Sequence, residues 1–202
     1  MNVCLRQWNR VTAELDLKTT SMTTLKGSNV GAHDQGANAT TGRWLTIPRT
    51  LCFVLNGDDV LLMKRGPHRR VFPSRYNGLG GHIERDEDPL NSARREILEE
   101  TGLHVRDLRL CSVHNIDAGA DSGILLFVFV GISDSREVID SDEGTLHWVA
   151  REAVTSLDLV DDLAILLPRV LALEPNDPPH FVHVSYDAAD AIQMRFAADQ
   201  TD

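Results

Sequence analysis

The stretch Gly81-His82-Ile83-Glu84-Arg85-Asp86-Glu87-Asp88-Pro89-Leu90-Asn91-Ser92-Ala93-Arg94-Arg95-Glu96-Ile97-Leu98-Glu99-Glu100-Thr101-Gly102-Leu103 holds the densest chemistry of the chain and decides how the rest is read. Asp88 followed by Pro89 supplies a capping acid and a proline at the first helical position, and Gly102 supplies a stop. A helix is therefore predicted from about Pro89 to Thr101. At about 100° per residue, Glu96, Glu99 and Glu100 fall within one arc of about 100°, and Leu90, Ala93 and Ile97 form the adjoining apolar arc. One side packs and the neighbouring side presents three carboxylates. Their repulsion amounts to about 0.2–0.5 kcal/mol per exposed pair, and more when partly buried. A hard divalent cation offsets it directly, because Mg²⁺ prefers oxygen ligands and is commonly shared between carboxylates and substrate phosphates. Arg95, on the flank of the arc, is placed to pair with Glu87 and hold the preceding loop against the helix. Taken alone, the Glu99-Glu100 pair also reads as a solvated surface of an ordinary helix.

Upstream of this helix, Thr50 to Leu55 and Val60 to Lys64 are β-branched and aliphatic runs separated by Asn56-Gly57-Asp58-Asp59, which reads as a hairpin. Gly66 to Arg75 is a basic, proline-marked loop. Tyr76 to Glu84, with Gly78, Gly80 and Gly81, is a strand or extended loop whose backbone is closely approached by something else. Downstream, strands are expected near Leu108 to Val113, Ile124 to Ile132 and Leu146 to Val149, and an apolar helix near Asp161 to Leu173. A closing hairpin is expected at Phe181 to Tyr186 and Ile192 to Phe196. Strands and helices alternate without a repeated βαβ unit, which favours a mixed sheet sandwiched by helices.

The whole chain has 202 residues, 42% hydrophobic and 25% charged, which suits one globular domain plus a tail. Residues 1–43 are rich in Thr, Gly, Asn and Ala with hardly an aliphatic pattern, so they are expected to be a disordered segment, and 44–198 the domain. The segment also reads as a docking arm, or as translation begun upstream of a start at Met22. Lys and Arg number 20 against 30 Asp and Glu, a formal charge of −10 that disfavours a grip on a nucleic-acid polymer by net attraction. The longest strongly apolar run, Ile124 to Val130, falls far short of the roughly 20 residues that span a bilayer. Cys4, Cys52 and Cys111 are widely spaced, indicating neither a disulfide framework nor a zinc knuckle, and a reducing cytoplasm fits. Oligomeric state is not legible.

From Gly81 to Leu103 the chain matches the pattern GX5EX7REUXEEXGU, with U a bulky aliphatic residue, at every fixed position. Ordinary residue frequencies make a chance match in a chain of this length an event on the order of one in ten million. The segment resembles the Nudix box. The resemblance implies a Nudix α/β/α sandwich with a mixed β-sheet, and Mg²⁺- or Mn²⁺-dependent hydrolysis of a small-molecule nucleoside diphosphate linked to another group. It implies Glu96, Glu99, Glu100 and the Gly81 carbonyl as metal ligands, with Arg95 and Glu87 orienting the loop. A further carboxylate after the box helps with metal or base duty in many members. Glu143 is the candidate here, with Glu99 as the competing base and a plain turn role as the alternative for Glu143.

Around the box, Asp59 to Arg65 and Tyr76 to His82 resemble the MutT-type diphosphatases of oxidised purine nucleoside triphosphates, particularly their animal branch, and the likeness runs weakly to Phe196. By that resemblance Asn77 and the adjacent acids Asp161 and Asp162 face the base. Two adjacent buried acids raise one another's proton affinity, so one can donate while its neighbour accepts. The same acids also read as caps of the helix that follows. The aromatic residue that precedes the acids in the animal branch is replaced here by Leu159-Val160. Lys64 and Arg65, ending a strand, lead the basic residues Arg69, Arg70 and Arg75 as candidates to hold phosphates. His82 is read equally as site-lining or structural. Hydrolysis of ADP-ribose or another sugar nucleotide, and a non-catalytic nucleotide-binding regulator on the same fold, are the alternatives. The intact box weighs against the regulator, and no appended RNA-binding segment supports a decapping enzyme.

Overall fold

The hairpin expected around Asn56 to Asp59 forms between β1 (Leu45–Asn56) and β2 (Asp59–Arg65), with Gly57 at φ +59 in the turn. This is a computed structural model, and it describes residues 41–199. The expected tail therefore lies almost entirely outside the described residues. The remaining strands are β3 (Tyr76–Asn77), β4 (Arg106–Ile116), β5 (Ser122–Ile132), β6 (Gly144–Ala150), β7 (His180–Tyr186) and β8 (Ile192–Phe196). They join β1 and β2 in one eight-stranded mixed sheet ordered β3-β2-β1-β5-β4-β7-β8, with β6 pairing β2.

Alternation along β1 and β2 sends Leu51, Phe53, Val60 and Leu62 to one face and Cys52, Val54, Leu61 and Met63 to the other. Helix α1 (Pro89–Thr101) covers the second face with Ala93 and Ile97, both fully buried. Its start is as expected: the Asp88 carboxylate accepts from the Leu90 and Asn91 amides at 2.9 and 3.0 Å, and Gly102 ends the helix at φ +74. Helix α2 (Leu163–Leu171) covers the first face with Leu163, Leu166, Leu167 and Val170. The result is the α/β/α sandwich, and no helix of the described residues is long and apolar enough to cross a membrane.

Several bounds differ from expectation. β1 begins at Leu45 because it pairs in parallel with β5 from Leu45↔Ser122 to Leu55↔Ile132, and that pairing carries the strand through Pro48. α2 begins at Leu163 rather than Asp161. Asp162 sits at the N-cap position with helical dihedrals and makes no side-chain capping hydrogen bond, while Asp161 is paired with Arg75. A 3-10 helix at Arg151–Ser156 had no sequence signal strong enough to anticipate it.

A split in the sheet shapes the surroundings of the box segment. β1 and β2 pair only from Val54↔Leu61 to Asn56↔Asp59 and then diverge. The chain from Tyr76 to His82 fills the opening: Tyr76 and Asn77 pair with β2, while Leu79 and His82 bridge to Cys52 and Arg49 of β1. The backbone bonds are short, with Thr50 N donating to Gly81 O at 2.9 Å and Cys52 N to Leu79 O at 2.7 Å. Gly80, at φ +128, has no room for a Cβ, which would strike the Thr50 carbonyl.

Candidate active site

At this split a cavity of about 370 Å³ opens between the two halves of the sheet. Its lining includes Gly81, Glu100, Glu143, Arg65, Asn77 and Asp162, six of the residues singled out from the sequence. A larger but more open cleft of about 650 Å³ at the C-terminal end of α1 contains none of the box glutamates.

The α1 carboxylates are held apart by what each one touches. Arg95 donates to Glu87 through Nε and Nη2 at 2.7 and 2.9 Å, and through Nη1 to Glu96 at 2.9 Å and Glu99 at 3.1 Å. Its Nη2 also reaches the His82 carbonyl at 3.2 Å, so one guanidinium ties the loop to the helix as expected. Hydrogen bonding from Arg95 holds the Glu87 carboxyl down to about 2. Glu96 is pushed the other way, up from the ordinary carboxylate range by burial, against the pull of Arg95. Glu100 is only 8% exposed and accepts from the Gly80 amide at 2.9 Å. Burial pushes its carboxyl up to about 8, partly opposed by that bond, with the charges of Glu143 and Glu96 adding to the rise. Glu143 enters from the loop before β6 and is ion-paired with Arg69 at 3.2 Å.

As the side chains stand, no three acidic, histidine or cysteine groups among the described residues close on a common metal position. Arg95 and Gly80 occupy their oxygens instead. The donor set nevertheless suits a hard divalent cation, being all oxygen. Gly81 also provides a cradle: a Cβ there would lie 2.5 Å from Glu96 Oε1, so the missing side chain is what lets a carboxylate come up beside the Gly81 backbone. The Gly81 carbonyl already accepts from Thr50 and retains a second lone pair.

The acid pair separates. Asp161 is exposed and bound to Arg75 at 2.6 Å, and does not line the cavity. Asp162 lines it, and burial raises its proton affinity, with the charge of Asp161 adding. Asn77 accepts from the Gly78 amide at 2.9 Å through Oδ1, which leaves its amide N–H₂ to donate. Lys64 also lies outside the lining, with its ammonium 5.6 Å from the Tyr76 ring centroid, whereas Arg65 is in it. Arg75 is committed to Asp158 and Asp161.

Several lining residues escaped the sequence reading. Arg49 and Thr50 come from β1, and Ile116, Ala118, Ile124 and Leu126 from β4, β5 and their connection. Phe72 comes from the loop after β2, at φ +50, and Tyr186 from the end of β7. Tyr186 continues the row of Val182 and Val184, both buried, and that alternation was the available signal. Phe72 and Tyr186 place aromatic rings at the cavity although Leu159-Val160 occupy the position where the animal branch carries one.

A family model described as NUDIX domain matches residues 45–170. The chain is 30% identical over 135 residues to the oxidized purine nucleoside triphosphate hydrolase of Mus musculus, covering 60% of this chain and 78% of that protein. It is 43% identical over 53 residues to the m7GpppN-mRNA hydrolase NUDT17 of Danio rerio, a match that spans 26% of this chain and only 18% of that protein. The fold superposes on the crystal structure of a MutT protein from Bacillus halodurans with a TM-score of 0.65 at 23% identity, covering 76% of this chain and 99% of that one. Nudix hydrolases in general use divalent metals, in keeping with the all-oxygen donor set described above. With the box on α1, the sandwich around it and the domain model agreeing, the chain belongs to the Nudix family and is a hydrolase.

Proposed function

We propose that this hydrolase converts a purine nucleoside triphosphate, oxidised forms included, to the monophosphate and pyrophosphate with Mg²⁺, Mn²⁺ being able to replace it. One observation carries the reading: a single cavity is lined both by Gly81, Glu100 and Glu143 and by Asn77 and Asp162. A diphosphate bound at the first group leaves the base within the same enclosure as the second. The similarity to the mouse oxidized purine nucleoside triphosphate hydrolase, over 78% of its length, supports the substrate class.

In this reading Glu96, Glu99, Glu100 and Glu143, with the Gly81 carbonyl, hold the cation. When bound, the cation neutralises the diphosphate and lowers the pKa of an attacking water. The chain's own residues do the rest. Arg95, locked by Glu87, holds Glu96 and Glu99 together beside the Gly81 loop. Glu143 is the general base in preference to Glu99: it lines the cavity, whereas the Glu99 side chain is 58% exposed and outside the lining. Arg65 meets the phosphates. Asn77 donates to an acceptor on the base edge, and Asp162, whose proton affinity burial raises, is placed to hydrogen-bond another atom of that edge.

The test is a product panel with Mg²⁺, using ATP, GTP, 8-oxo-dGTP and ADP-ribose. Pyrophosphate and a monophosphate from the triphosphates, with the purines favoured, is the expected result. AMP from ADP-ribose as the dominant product, or tight binding across the panel with no turnover, refutes it.

A further inference from the structure

We infer that Arg49 is a substrate-binding residue that donates from the β1 wall of the cavity to a phosphate oxygen of the bound nucleotide. The inference rests on the proposed nucleotide hydrolysis and goes beyond it in assigning a residue outside the box and outside the basic loop.

Arg49 shares its strand face with Leu51 and Phe53, both in the core, and its parallel partner on β5 is Leu126, also buried. A guanidinium at the end of so apolar a row needs a polar partner. It has none among the described residues: its Nε is buried without a hydrogen-bond acceptor, and it takes part in no ion pair. An unsatisfied buried donor is costly to keep, and a ligand acceptor relieves that cost on binding. The neighbouring arginines are spoken for. Arg69 holds Glu143, Arg75 holds Asp158 and Asp161, and Arg95 holds Glu87, Glu96 and Glu99.

Position points the same way. The antiparallel bridge Arg49↔His82 seats Arg49 next to His82, one residue from Gly81, and both side chains line the cavity. Thr50, its successor, donates to the Gly81 carbonyl at 2.9 Å. Arg49 therefore stands against the segment that carries the box glycine, in the same lining as Arg65. With the carboxyl groups of Glu100, Glu143 and Asp162 in the lining, a polyanion entering here needs cations from the protein as well as from the metal. The planar fork of a guanidinium matches phosphate oxygens bidentately.

The experiment compares wild type with Arg49→Met, which keeps an apolar stem, and Arg49→Lys, which keeps the charge. Binding of GTP and of guanosine is measured by calorimetric titration in EDTA, and KM and kcat are measured with Mg²⁺. Thermal unfolding of each variant verifies the fold. Met removes a buried unsatisfied donor, so its melting temperature is expected to equal or exceed that of wild type. The expected result is a loss of GTP affinity of about tenfold or more in Arg49→Met, partial recovery in Arg49→Lys, unchanged guanosine affinity, and a raised KM with kcat within about threefold. Unchanged GTP affinity overturns the assignment, as does an equal loss for guanosine, which would place the contact on the nucleoside. If Arg49→Met does not fold, the same criteria apply to Arg49→Gln, which also removes the charge. A wild-type enzyme that releases nothing from nucleoside triphosphates defeats the proposed function, whereas an active wild type with indifferent variants defeats only the role of Arg49.

Discussion

Acid should unfasten the sheet at β4 through His114, and replacing that residue by leucine isolates the effect. His114 is fully buried, with Nε2 2.9 Å from the Ser112 hydroxyl and Nδ1 without a partner. Burial lowers its pKa from 6.5 to about 4, with the nearby His180 adding. The unfolded chain takes up this proton as pH falls through about 6.5, while the folded chain resists until about 4. Between those values the unfolded state binds more protons, so stability is fully present above the window and is lost on descending through it. The whole window is worth about 3 kcal/mol, of which about 2 kcal/mol is lost by pH 5. Urea unfolding at pH 7.5 and pH 5.0 reads it: wild type should lose about 2 kcal/mol more than His114→Leu over that interval. Subtracting the variant removes the contribution of titrating groups that do not interact with His114, leaving His114 and its interaction with His180. Equal losses in the two proteins, or a larger loss in the variant, refute the reasoning. The stakes reach the cavity, because the pairing of β4 with β7, from Ser112↔His180 to Ile116↔Val184, leads directly to Tyr186.

Two further expectations concern the site itself. Glu100→Gln keeps an acceptor for the Gly80 amide and the shape of the side chain but removes a charge from the cation site. Turnover should fall on the order of 100-fold or more with the circular dichroism spectrum unchanged, and ordinary activity would refute the metal role. Asn77→Ala and Asp162→Ala should alter preference among ATP, GTP and pyrimidine triphosphates more than they alter the Mg²⁺ requirement. Asp162 makes no capping bond, so its removal should leave α2 in place; identical base preference in both variants would show that the base is read elsewhere.

Much of this was legible in the order of residues. The limits of α1 follow from Asp88, Pro89 and Gly102, because capping and stop signals act over one helical turn and need nothing distant. The pairing of Arg95 with Glu87 and the approach of Glu96 to Gly81 follow from the box spacing. The tertiary structure decided which neighbours in sequence share the site. Lys64 and Arg65 are adjacent, yet the alternation of a strand admits only Arg65 to the cavity. Asp161 and Asp162 are adjacent, yet Arg75, 86 residues away from Asp161, draws one outward while burial keeps the other in. Arg49, Phe72 and Tyr186 carry no local motif at all. Phe72 arrives on the loop between β2 and β3, whereas Arg49 and Tyr186 meet because β1 runs parallel to β5 and β4 parallel to β7, and parallel pairings join strands through long crossovers whose outcome no short stretch of sequence encodes. Short-range chemistry named the carboxylates, and long-range strand pairing built the enclosure around them.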